Sequence, residues 1–195
     1  MIEHEINKLD NFIMGWYQED HTILDKITDF FNKGNTTPGK VYGSDGLAVE
    51  KSVKDSLDLY LEPGSDLFYE YASSYLQLCT DQYISKYPMA NKQAPWSIIS
   101  NINIQQYPPN GGFHKWHTER FEGTGAIGAT HLVFMTYLND VLDGGETEFM
   151  HQNIKVKPQK GLTLIWPADW TFTHRGVASP IETKTIVTGW YHFTQ

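Results

Sequence analysis

A change of period at Pro95 constrains this chain more than any other feature. Before it, apolar residues recur at helical spacing; after it, short extended segments alternate with turn formers. From Glu19 to Lys33, Ile23, Leu24, Ile27, Phe30 and Phe31 fall three and four residues apart. Asp20 is placed to cap this run and Gly34 to stop it, which predicts a helix with one buried face. Ser65 opens a longer run through Leu67, Tyr71, Tyr75, Leu76, Leu78 and Ile84, predicting a helix over about 66–86. Its tyrosine and leucine stripe reads as core, and Cys79 within it as a buried thiol. Residues 34–53 are dense in turn formers and read as a long loop, either a lid or a surface excursion. Val53 to Leu61 reads as a strand ended by Pro63-Gly64.

Beyond Pro95 the expected strands are 97–107, 113–119, 131–139, 145–150, 154–157, 161–167, 171–175 and 184–193. Turn signals at Gly123–Gly128, Asp143-Gly144-Gly145, Pro158–Gly161 and Ser179-Pro180 separate them. Helices followed by about eight strands predict a mainly β (α+β) fold, a sandwich or barrel with the flanking N-terminal helices on one outer face. At 195 residues one domain is expected over 1–195, with 1–94 as helical support and lid loop and 95–195 as the β core.

The formal charge of -8 and pI near 5.4 disfavour a nucleic-acid partner, which needs a basic face. Cys79 is the only cysteine, so no intrachain disulfide forms and a cytoplasmic setting is favoured. The opening Met-Ile-Glu-His-Glu resembles no leader, and no run of about 18 apolar residues predicts a membrane span.

Chemistry concentrates in Tyr107 to Glu119. If Phe113 to Glu119 is extended, Phe113, Lys115, His117 and Glu119 share one side, so an imidazole and a carboxylate project into the same space. The preceding Pro108-Pro109-Asn110-Gly111-Gly112 encodes a reversal, with fixed φ from proline and positive φ from glycine. A third ligand candidate, His174, lies in Thr173-His174-Arg175-Gly176. Lys184 opens the last strand, where it shares a face with Ile186, Thr188 and Trp190. Two histidines and one carboxylate with open positions form the facial triad of non-heme Fe(II) oxygenases, and a nearby buried cation can hold a dicarboxylate.

The ordered set Tyr107-x9-His117-x-Glu119, Thr136-Tyr137-Leu138-Asn139, Gly144-Gly145-Glu146-Thr147-x-Phe149, Gly161 and His174-x9-Lys184-x5-Trp190 resembles the 2-oxoglutarate and Fe(II)-dependent dioxygenases of the prolyl 4-hydroxylase type. The resemblance covers residues 97–193 and implies a double-stranded β-helix, or jelly roll. It implies that His117, Glu119 and His174 hold Fe(II) and act as the catalytic set, and that Lys184 pairs with the distal carboxylate of 2-oxoglutarate. Tyr137 matches a phenol that helps bind that carboxylate, Tyr107 a pocket tyrosine beside the co-substrate, and Trp190 the aromatic that closes the pocket. Ascorbate is a further cofactor of this reading, and dioxygen a reactant.

The family usually carries aspartate where this chain has Glu119, and the extra methylene requires a small shift of strand or metal. A halogenase-like site, in which halide replaces the carboxylate, carries a small residue there, so the longer acid argues against it. The implied activity is hydroxylation of an unactivated C–H bond with release of succinate and CO2, on a prolyl residue of a peptide or protein. Free amino acids or other small molecules are an alternative substrate class, and a non-catalytic metal-binding jelly roll is the reading from another class.

Toward substrate, Asn101, Asn103, Gln105 and Tyr107 share a strand face opposite to Ile102 and Ile104. Amides turned inward would favour a polar substrate, and the same row turned outward would simply meet solvent. Trp116, Arg120, Trp166, Trp170 and Arg175 flank the ligand candidates as substrate contacts.

Overall fold

The computed structural model describes residues 1–43, 46–121 and 125–194. Its strands in chain order are β1 (Ile2–Glu3), β2 (Met14–Tyr17), β3 (Thr37–Pro38), β4 (Val41–Gly43), β5 (Gly46–Ala48), β6 (Leu57–Leu61) and β7 (Trp96–Ser97). There follow β8 (Ile102–Tyr107), β9 (Thr130–Tyr137), β10 (Thr147–Phe149), β11 (Ile154–Val156), β12 (Leu162–Pro167), β13 (His174–Gly176) and β14 (Lys184–Phe193).

Helix α1 (Thr22–Lys33) begins three residues later than expected, with His21 and not Asp20 at the N-cap position, and buries Ile23, Leu24, Ile27 and Phe31, while Phe30 stays exposed. Asp20 accepts from the Thr22 N–H at 2.9 Å, satisfying one of the free donors of the first turn. Gly34 ends the helix, and a Cβ there would meet Leu59 Cδ2 at 2.5 Å.

The second helical stretch runs from Asp66 to Lys86, with Ser65 Oγ accepting from the Phe68 N–H. Its middle, Glu70–Leu76, is wound as a π-helix between α2 (Asp66–Tyr69) and α3 (Gln77–Lys86). Tyr71 and Tyr75 stack there at 5.7 Å and send their hydroxyls to Thr136 Oγ1 and the Gly161 carbonyl. Tyrosines four apart suit either winding, so apolar spacing could not reveal it.

The principal sheet has the order β1-β2-β12-β9-β14-β8-β6-β3, every pair antiparallel, with β7 also on β14. A smaller sheet, β11-β10-β13, lies on its other side from the helices. Alternation along β9, β12 and β14 explains the layering. Phe134, Ile165, Val187 and Tyr191 pack with the helices, while Val133, Met135, Trp166 and Ile186 pack with Phe149 and Val156 of the small sheet. Both faces of the central strands are therefore covered. Gly189 is required by this packing, since a Cβ would sit 2.4 Å from Phe134 Cζ. Gly189→Ala is expected to cost about 1–3 kcal/mol through overpacking.

Several expectations need correction. Residues 113–119 are not a strand, but an irregular segment touching its neighbours through single bridges at Phe113 and His117. The expected 97–107 strand divides into β7 and β8, and 171–175 is a 3-10 turn over Trp170–Phe172 before β13 begins. The loop 34–53 contains β3 and the antiparallel pair β4–β5. Its residues 44–45, like 122–124 within and before the expected Gly123–Gly128 turn, lie outside the described residues. In the reversal before His117, Asn110 takes the positive φ of 65°, not the glycines. Gly111 serves close approach instead, a Cβ there meeting the Asp55 carbonyl at 2.8 Å. Among the described residues no helix is long and apolar enough to cross a membrane.

Candidate metal centre

A reciprocal backbone bridge creates the centre. His117 N–H donates to the His174 carbonyl at 3.0 Å and His174 N–H returns the bond at 2.9 Å. Two residues beyond His174, Gly176 N–H donates to the Phe113 carbonyl at 2.9 Å. Four steps of chain from Phe113 to His117 therefore face two steps from His174 to Gly176, and the surplus residues loop out. That bulge breaks the alternation expected of a strand yet turns the imidazole of His117 toward that of His174, with ring centroids 4.3 Å apart.

Both rings are oriented from behind. Nδ1 of His117 lies 3.0 Å from the Lys115 carbonyl and Nδ1 of His174 lies 2.9 Å from that of Phe172. Carbonyls only accept, so each Nδ1 carries a proton and each Nε2 is the atom turned toward the centre. Phe113 stacks on His117 at 3.7 Å, and Trp166 meets His174 edge-on at 5.1 Å. Glu119 completes the cluster, its Oε1 3.6 Å from His117 Nε2 and 3.4 Å from His174 Nε2. Its other oxygen accepts from Trp190 Nε1 at 2.9 Å.

Electrostatics favour ligand-ready forms. Burial alone would raise the Glu119 carboxyl, but hydrogen bonds and charge from His117 and His174 prevail and hold it well below the usual carboxylate range. Burial, reinforced by His117, lowers His174, with Glu119 opposing. One ligand atom from each residue lies within 4.8 Å of the others. Two imidazoles whose Nε2 atoms face one carboxylate fit a divalent transition metal and leave further positions open.

The cluster opens into a cavity of about 1020 Å³. Lys184 reaches it from the first position of β14, opposite Tyr107 in register, with only 4% of its surface exposed. Its Nζ donates to the Gly145 carbonyl at 2.9 Å and lies 5.1 Å from the Tyr107 ring centre. Among the described residues no carboxylate lies within 4.0 Å of it. Burial pulls its pKa down to about 8, with Glu146 opposing. The carbonyl it meets is aimed by Gly144 and Gly145, whose φ values of 73° and 77° only glycine adopts readily.

Tyr107, Trp190, Asn103 and Gln105 line the cavity, which turns the amide row inward at these two positions, and Tyr107 donates to Gln105 Oε1 at 2.6 Å. Tyr137 does not line it; its hydroxyl, fully buried, donates to Thr147 Oγ1 at 2.7 Å. Trp116, Trp166 and Arg175 line the cavity, and Arg175 lies over the Trp116 ring. Arg120 instead pairs with Asp169, and Trp170 is largely exposed. The β4–β5 pair contributes Val41, Tyr42 and Leu47 to the rim.

Sequence reasoning missed Thr147, the Phe113 stack and a second buried lysine. Lys54 and Asp58 line the same cavity as an ion pair at 2.6 Å, exposed by 4% and 2%, and Ser56 donates to the other Asp58 oxygen at 2.7 Å. Only the four-residue spacing at the mouth of β6 hinted at it.

The sequence matches the 2OG-Fe(II) oxygenase superfamily over residues 102–192. No curated protein matches it. Among solved structures, a Pseudomonas putida prolyl-4-hydroxylase aligns with TM-score 0.70 at 13% identity, covering 97% of each chain. The viral collagen prolyl hydroxylase of Paramecium Bursaria Chlorella virus-1, as its 2OG complex, aligns with TM-score 0.69 at 15% identity over 95% of this chain and 98% of that one. A Trichoplax adhaerens prolyl hydroxylase, bound to a hypoxia inducible factor oxygen degradation domain peptide, aligns with TM-score 0.72 at 16% identity over 96% and 87%. The fold is theirs, and the jelly-roll expectation is met.

Proposed function

We propose, from the premise that residues 102–192 belong to the 2OG-Fe(II) oxygenase superfamily and that the protein is an Fe(II)- and 2-oxoglutarate-dependent dioxygenase, that it hydroxylates a prolyl residue in a peptide or protein. The observation that carries the site assignment is Lys184, a buried cation with no carboxylate within 4.0 Å among the described residues, in the cavity that holds His117, Glu119 and His174. A desolvated ammonium without a counter-charge is costly, and a dicarboxylate co-substrate removes that cost on binding.

In this reading His117, Glu119 and His174 hold the iron, and Lys184 receives the distal carboxylate of 2-oxoglutarate beside the Tyr107 ring. Bound together, iron and 2-oxoglutarate supply an oxidant from dioxygen, with succinate and CO2 released. The chain's own contribution is orientation. The Lys115 and Phe172 carbonyls fix the imidazole tautomers, Phe113 and Trp166 fix the ring planes, and burial of Lys184 strengthens its grip on an anion.

A prolyl peptide is supported by the size of the cavity, which exceeds what a small dicarboxylate fills, and by the polar wall of Asn103 and Gln105, suited to peptide amides. The prolyl hydroxylases that share the fold point the same way. We assign the enzyme to the cytoplasm, where its single buried thiol, Cys79, suits reducing conditions.

The test is anaerobic titration of the apo protein with Fe(II) and 2-oxoglutarate, watching the visible charge-transfer band of the chelate. The band is expected in wild type, absent in His174→Ala, and in Lys184→Ala formed only at much higher co-substrate. A folded, iron-bound wild type with no band would sink the assignment. Substrate class is then read by mass spectrometry, through gain of one oxygen on prolyl peptides against free proline.

A further inference from the structure

Glu119 is one methylene longer than the aspartate usual in the resembling family, and the structure shows what restrains it. Its two oxygens face different partners. Oε1 looks toward the Nε2 atoms of His117 and His174, at 3.6 and 3.4 Å, while Oε2 accepts the Trp190 indole N–H at 2.9 Å. The indole is anchored, because Trp190 sits within β14 opposite Val133 of β9 and packs against the core of that face.

We infer that Trp190 is a positioning residue that restricts Glu119 to coordination through Oε1 alone, keeping one metal position open for dioxygen. The inference rests on the iron site proposed above. An octahedral iron offers about six positions, of which three protein donors leave about three. The keto acid end of 2-oxoglutarate would occupy two, so one would remain. A glutamate binding through both oxygens would take that one and block the reaction. A longer acid has an extra torsion with which to swing its second oxygen inward, and a hydrogen bond to an ionised oxygen opposes that swing. Indole N–H is donor only, so it engages Oε2 without competing for the metal.

The experiment loads the apo protein with Mn(II) and counts metal-bound waters by water-proton relaxation, before and after saturation with 2-oxoglutarate. Wild type is expected to hold about three waters, falling to about one. Trp190→Phe keeps an aromatic ring and removes the donor; it is expected to hold one water fewer in both states while 2-oxoglutarate still displaces two. Its turnover on substrate should fall about ten- to a hundredfold, in kcat rather than in the KM for 2-oxoglutarate. A folded, metal-bound Trp190→Phe with wild-type water counts overturns the inference. A wild type that already holds only two waters also overturns it, and needs no variant. Should Trp190→Phe fail to fold, Trp190→Leu serves the same comparison. Failure of 2-oxoglutarate to displace any water from wild type overturns the co-substrate reading itself, and the inference with it.

Discussion

Lys184 and Lys54 are both buried to 4% exposure and both line the same cavity, yet among the described residues a carboxylate pairs with only one of them. Lys54, just before β6, is met by Asp58 at 2.6 Å, and Asp58 is met in turn by Ser56. Lys184, at the start of β14, has a backbone carbonyl and an aromatic face. A buried ion pair whose partners satisfy one another reads as framework, whereas a buried cation left to a carbonyl is, in the function proposed above, kept for an anion from outside. Burial alone would not separate the two roles; the partner does.

Breaking the framework pair should have the largest effect. Asp58→Ala leaves Lys54 charged and unpaired, and is expected to lower the free energy of unfolding in urea by about 3–5 kcal/mol. The double variant Lys54→Met with Asp58→Leu should recover most of that loss, since well-packed apolar replacements of buried pairs are often neutral. If the double variant is as unstable as Asp58→Ala, the pair is more than framework.

Lys184→Met should behave in the opposite way. Its stability should equal or exceed that of wild type, because an unpaired buried cation is removed, while affinity for 2-oxoglutarate in calorimetry falls by about 2–5 kcal/mol. Loss of stability without loss of affinity would place Lys184 beside Lys54.

The pH dependence sharpens the contrast. Lys184 titrates near 8 in the folded protein against a normal 10.5. Below 8 it is charged whether folded or unfolded, and the folded state bears the full desolvation cost. Between 8 and 10.5 the folded state has shed a proton that the unfolded state keeps, so this residue's contribution to stability rises through that window. Co-substrate affinity moves the other way, falling about tenfold per pH unit above 8 as the ammonium is lost. Lys184→Arg, which stays charged, should flatten both curves.

The smallest effect is expected at Tyr137. Its hydroxyl is committed to Thr147 Oγ1, so Tyr137→Phe should cost about 1 kcal/mol of stability. Its effect on 2-oxoglutarate affinity, read in the same calorimetric titration, should be well below that of Lys184→Met. A comparable loss would restore Tyr137 to the carboxylate-binding role that its place in Tyr137-Leu138-Asn139 suggested.

Much of the metal centre was legible because ligand chemistry needs particular residue types. His117, Glu119, His174 and Lys184 stand out by residue type and order, and they converge on one cavity. The reason given for their convergence was wrong in part. A regular strand over 113–119 was expected to aim His117 and Glu119 together, and a bulged segment held by the His117–His174 bridge does so instead. Alternation describes a segment's own backbone, and says nothing of how many residues its partner will set against it. Trp190 was singled out as a pocket aromatic, but its bond to Glu119 joins residues 71 positions apart and leaves no local trace.

By itself, the sequence determined that helices precede a mainly β core, that β14 is a long buried strand and that two histidines, one carboxylate and one lysine are the candidates to carry the chemistry. Each of these is written in short-range spacing or in side-chain chemistry, which a chain displays before it folds. Tertiary structure alone decided the π-winding of Glu70–Leu76, the bulge that turns His117, the pairing of Lys54 with Asp58 and the isolation of Lys184. Those features depend on which distant groups share a desolvated space, where one hydrogen bond or one missing counter-charge outweighs any local preference.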